Sequence, residues 1–152
     1  MKTPTVLLAI GLFAVAAVAA EVSGKWVAEI TGPSGSMSER IFTFKVSASK
    51  LTGTVINQSV DINCAVPSET LKTQMGTPQE ISEGKVSGND ISFTIISQMI
   101  GSEIRTVYRG KISGNEIKFT AETKYPEGMI SRSGSPMQPP PPQKFVAMRV
   151  SP

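Results

Sequence analysis

Two segments of this chain repeat one another around a Gly-Asn pair, and that repeat dictates a sheet that bends. The runs from Gly84 to Ile95 and from Gly110 to Ala121 agree at eight of twelve positions. Gly-Asn between two alternating runs is the signature of a two-residue hairpin turn of type I′ or II′. With Gly88-Asn89 as one loop and Gly114-Asn115 as another, Gly84 faces Phe93 and Gly110 faces Phe119. A third copy, Phe44 to Val55, turns at Ala48-Ser49 and sets Phe44 opposite Gly53. A glycine covered by a cross-strand aromatic lets a sheet curve while its ladder stays intact. The sheet is expected to curl until its first and last strands meet.

Eight alternating runs follow the first twenty residues. They are Lys25–Thr31, Arg40–Ser47, Leu51–Asn57, Ile81–Ser87, Asp90–Ser97, Glu103–Ser113, Glu116–Lys124 and Lys144–Val150. Short strands, strict period-two patterning and glycine turns predict an all-β chain. Three hairpins flanked by single strands predict an eight-stranded antiparallel up-and-down β-barrel, which leaves no free edge. The fourth run has a phase conflict, because Val86 and Gly84 share a face that excludes Ile81. Either Ile81 points outward or a bulge near Glu83-Gly84 re-aims it.

The N-terminus reads as a signal peptide over residues 1–20. Lys2 is followed by an apolar stretch from Val6 to Ala17, and Val18-Ala19-Ala20 suits cleavage before Glu21. Residues 21–152 then form a single secreted or periplasmic β-barrel domain with no membrane span in the mature chain. The formal net charge of +3 falls to +2 without Lys2, and the basic residues are scattered. That excludes nucleic acid as the expected partner. Cys64 is the one cysteine, so no internal disulfide forms, and it is expected to be buried as a small hydrophobe.

Histidine is absent, which removes the commonest general base and most zinc sites. The carboxylates fall at outward or turn positions, and no phosphate-binding glycine loop exists. The expectation is a protein that is not an enzyme, with no cofactor and no metal.

The inward face is expected to hold Phe44, Phe93 and Phe119 towards the tight-turn end. Ile30, Val55, Ile95, Thr106 and Ala121 lie towards the other end, with Tyr108 one layer deeper. Met37, Met75, Met99, Met129 and Met137 all fall in the connections at that end, and Pro139 to Pro142 stiffen the last of them. These residues form the candidate binding site for a small hydrophobic molecule. A second candidate surface is the outer apolar set Val27, Val146, Met148 and Val150, which suits a protein partner or a homodimer through the first and last strands.

Gly24-Lys25-Trp26 opening the first strand, with Arg149 ending the last, resembles the calycin superfamily of lipocalins, fatty-acid-binding proteins and avidins. The resemblance implies that Arg149 lies across Trp26 at the closed end of the barrel. It departs from the lipocalins in lacking the helix before the final strand, any disulfide and a long first loop. The chain is also similar to short secreted bacterial β proteins. The resulting expectation is a non-catalytic, lipocalin-like binder of a small hydrophobic ligand at the long-loop end. The alternative is a filled barrel that acts as a protein-interaction or inhibitor-like module through its long loops.

Overall fold

The computed structural model describes residues 22–32, 35–60, 76–99 and 101–150. The expected signal peptide, Cys64 and Met75 lie outside them. Eight strands follow in order: β1 (Gly24–Thr31), β2 (Met37–Ser47), β3 (Lys50–Val60), β4 (Gln79–Ser87), β5 (Asp90–Met99), β6 (Ser102–Ser113), β7 (Glu116–Lys124) and β8 (Gln143–Arg149). They form one closed antiparallel barrel in which each strand pairs with its sequence neighbours and β1 pairs with β8. No helix among the described residues is long and apolar enough to cross a membrane.

The three tight turns set the register as the repeat implies. Ser47 pairs with Lys50, Ser87 with Asp90 and Ser113 with Glu116, leaving two-residue loops. Ala48, Gly88 and Gly114 take φ of 55°, 57° and 59°, while the loop residue after each stays at negative φ. That pattern is type II′, whose twist matches the strands it joins.

Phe44 lies opposite Gly53, and Phe119 opposite Gly110. At Gly53, where φ is 141°, a Cβ would run into the Thr43 carbonyl oxygen. At Gly110 a Cβ would meet the Phe119 ring edge and the methyl groups of Ile91 and Ile117 at 2.7–2.8 Å. Neither site leaves room for a side chain: at Gly53 the neighbouring strand's backbone fills the space, and at Gly110 three side chains do.

The third expected glycine–phenylalanine pair is replaced by a bulge. Ser82 pairs with Thr94 and Lys85 with Ser92, so Glu83 and Gly84 together oppose Phe93. Glu83 carries φ of 54°, and its carboxylate accepts from Thr94 Oγ1 at 3.1 Å. The extra residue restores the phase on both sides: Val86 is buried, and Ile81 packs against the same core.

The strands towards the other end run longer than the sequence pattern indicated. Met37 is the first residue of β2, and β5 and β6 continue until Met99 pairs with Ser102. The β5–β6 connection, expected over about Gln98 to Ser102, is therefore only residues 100–101. The longer connections at that end are residues 61–78 and 125–142.

The lower half of the barrel is solid. Phe42 lies at its centre, with ring centroids of Phe44, Phe93, Tyr108, Phe119 and Phe145 between 5.2 and 6.2 Å away. Beneath the rings lie Leu51, Ile91, Ile117 and Trp26, all essentially fully buried. Full burial of each such side chain stabilises the fold by about 1.5–3 kcal/mol relative to exposure.

The floor is closed by the segment before β1. Val22 is fully buried, and its carbonyl accepts from Trp26 Nε1 at 2.9 Å. Ser23 Oγ accepts from the Val46 amide, and the Ser23 carbonyl accepts from Arg149 Nη1 at 3.2 Å. Val22 therefore plugs the barrel instead of lying on its outer wall.

Candidate functional site

Above the packed rings the barrel is hollow. A cavity of about 650 Å³ opens at the long-loop end, within the size range of small-molecule sites. Ile95, Thr106, Tyr108 and Ala121 line it, each on the inward phase of β5, β6 or β7. These four were expected there. Ile30 and Val55 are buried core residues and are not part of its wall.

None of the methionines among the described residues lines this cavity. Met99 is a strand residue, 41% exposed, and Met37 is half-buried on β2. Met129 is buried in the β7–β8 connection, where its carbonyl accepts from the Met137 amide at 2.9 Å. That connection folds back on itself through an Ile130–Pro136 bridge, which occupies the two methionines locally. The cavity is bordered instead by Pro140, Pro141 and Pro142. Consecutive prolines hold an extended backbone with little freedom to collapse inward.

The wall is also more polar than an alternation of aliphatic residues implies. Arg40, Asn57, Gln79 and Gln143 all contribute to it, with Ser97 and Thr123. The Thr106 and Thr123 hydroxyls lie 3.2 Å apart across β6 and β7. Arg40 is the one charged residue lining the cavity among the described residues. Its position follows from β2, where Arg40 shares the phase of Phe42 and Phe44 and so points into the barrel.

The guanidinium of Arg40 sits over two aromatic rings, 5.1 Å from the centroid of Phe145 and 5.6 Å from that of Tyr108. Its Nε donates to Asn57 Oδ1, from the residue directly opposite on β3. Its Nη1 is buried and has no hydrogen-bond partner among the described residues. Burial pushes the Tyr108 phenol above its ordinary value near 10, partly offset by the attraction of the Arg40 charge. Tyr108 therefore remains a neutral hydroxyl across the physiological range.

The outer wall carries ordinary surface chemistry. Arg105 pairs with Glu83 and Glu103, Arg109 with Glu122, and Lys111 with Asp90, at 3.0–3.7 Å and well exposed. Such pairs contribute little. The residues of the expected apolar patch lie at the barrel closure: Val146 and Met148 of β8 and Val150 just after it are 41–48% exposed, and Val27 of β1, half-buried, pairs with Met148. A second hollow of about 830 Å³ runs along β3 and β4, where the pairing register lapses between Lys50 and Thr54. Among the described residues no three His, Cys, Asp or Glu side chains are grouped to hold a metal ion.

No protein-family model, curated protein or solved structure matches this chain.

Proposed function

We propose that this protein is a secreted, non-catalytic barrel that binds a small, partly apolar molecule in the cavity at its long-loop end. The observation that carries this reading is the cavity itself, set above a solid aromatic floor and beside a stiff proline segment. Its size suits a ligand of moderate size, and Ile95, Ala121 and the prolines supply apolar wall. The non-catalytic reading rests on the cavity's side chains, since no carboxylate or imidazole lines it among the described residues. Tyr108, the remaining acid–base candidate, keeps its proton. Export rests on the character of residues 1–20. A distant kinship with the calycins is supported by the strand order and by the Trp26–Arg149 contact.

Thermal-shift screening against retinoids, long-chain alcohols and acids, and haem tests the binding reading. A saturable rise in melting temperature with at least one class is the expected result. A flat response across the panel would remove it.

One observation favours a second reading. Val27, Val146, Met148 and Val150 form an apolar strip on the outside of the barrel where it closes. A contact with another chain through β1 and β8 follows from that strip. Sedimentation of the purified protein over a range of concentrations tests self-association, and Met148→Glu should abolish it.

A further inference from the structure

We infer that the ligand of this cavity is an organic acid whose carboxylate pairs with the guanidinium of Arg40. This rests on the binding reading above and narrows it to one class of molecule. Three observations lead to it.

Arg40 occupies a core-facing position that the strand could have given to an apolar residue, as it does at Phe42 and Phe44. A cation half-buried at a barrel mouth loses part of its hydration, and a counter-charge with good geometry compensates for that more fully than rings or one hydrogen bond do. Among the described residues Arg40 makes no ion pair, and no acidic side chain lines the cavity around it. The two aromatic faces of Phe145 and Tyr108 attract the cation but accept no in-plane hydrogen bond.

The donors of Arg40 are also unevenly used. Asn57 engages Nε, which fixes the plane of the guanidinium, while the buried Nη1 has no acceptor among the described residues. A guanidinium presents paired N–H groups whose spacing matches the two oxygens of a carboxylate. The rings hold the group in place from its faces, so little ordering remains to be done when an acid arrives.

The rest of the wall fits the remainder of such a molecule. Tyr108 supplies a hydroxyl that stays protonated, and Thr106 and Thr123 supply two more. Ile95, Ala121 and the proline segment offer apolar surface towards the mouth. An anionic head near Arg40 with an aliphatic or aromatic body above it satisfies each of these groups.

The test uses matched acids and amides on the full mature protein. Naphthalene-2-carboxylate and decanoate are compared with naphthalene-2-carboxamide and decanamide by calorimetry, on the wild type and on Arg40→Gln. Each acid should bind at least ~10-fold more tightly than its amide, and Arg40→Gln should erase that ratio while amide binding persists. Equal affinity for acid and amide in the wild type would overturn the Arg40 inference and leave the binding reading standing. No binding of any of the four would overturn both. A structural readout keeps the arginine's role separable. If Arg40 serves a ligand, the unliganded Arg40→Met variant should melt a few degrees higher than wild type, because a half-buried charge with an unpartnered, buried Nη1 has been removed. A lower melting temperature would mark Arg40 as a packing residue and count against the inference.

Discussion

The guanidinium of Arg149 lies 4.6 Å from the centroid of the Trp26 ring, and the two residues are paired partners across the strands that close the barrel. One contact therefore joins the two ends of the sheet, and a hydrogen bond from Arg149 Nη1 to the Ser23 carbonyl ties in the floor segment as well. Arg149→Ala should lower stability by about 1–3 kcal/mol, combining a cation–π contact with a hydrogen bond. Arg149→Lys should recover part of that loss. Urea denaturation of the three proteins measures it, and an unaffected midpoint in Arg149→Ala would show the contact to be inert.

Gly53 and Gly110 both face phenylalanines, yet they should respond differently to a methyl group. At Gly53 the obstruction is the Thr43 carbonyl, fixed in the ladder, and the backbone is left-handed. Gly53→Ala should cost about 3 kcal/mol or more. At Gly110 the obstructing atoms belong to the side chains of Phe119, Ile91 and Ile117, which can shift. Gly110→Ala should cost about 1–3 kcal/mol, as overpacking does. Equal costs in denaturant titrations would contradict this distinction.

Ala48 sits at the first position of a type II′ turn with φ of 55°, where its two counterparts are glycines. An L-residue with a side chain is strained there by about 1–2 kcal/mol, partly offset by the greater freedom of glycine in the unfolded chain. Ala48→Gly should therefore raise stability by up to about 1 kcal/mol. The urea midpoint measures the gain, and a fall would place the strain elsewhere.

Tyr108 makes stability depend on alkaline pH. Its phenol is raised above 10 by burial in the folded protein, so folded and unfolded chains carry the same proton below that value. Above it the unfolded chain ionises first, and stability falls until the folded phenol also titrates. The urea midpoint should drop as pH rises above about 10, and Tyr108→Phe should flatten part of that drop. Identical slopes for the two proteins would assign the effect to other groups.

Much of the fold was legible because turn chemistry and alternation are local signals. Gly88-Asn89, Gly114-Asn115 and the alternating runs around them determine register without reference to anything distant. The phase conflict at Ile81 left two choices, an outward Ile81 or a bulge at Glu83-Gly84, and the structure takes the bulge. What the sequence concealed was long-range. Val22 plugs the floor because the segment before β1 crosses beneath the barrel, which no local pattern announces. Among the described residues, the methionines grouped by loop membership are not brought together over the cavity, since β5 extends to Met99 and the β7–β8 connection folds upon itself. Arg40 was available to a stricter reading: it shares the parity of Phe42 and Phe44, and a charged residue on that parity marks where the core gives way to a cavity.

The uneven filling of the barrel has a consequence for how such a protein can change. Cohesion resides in the ringed lower storey, from Phe42 down to Trp26, while the cavity occupies the upper one. Substitutions around the mouth are thus decoupled from the forces that keep the chain folded. The shape and chemistry of the hollow can therefore change while the scaffold beneath it stays as it is.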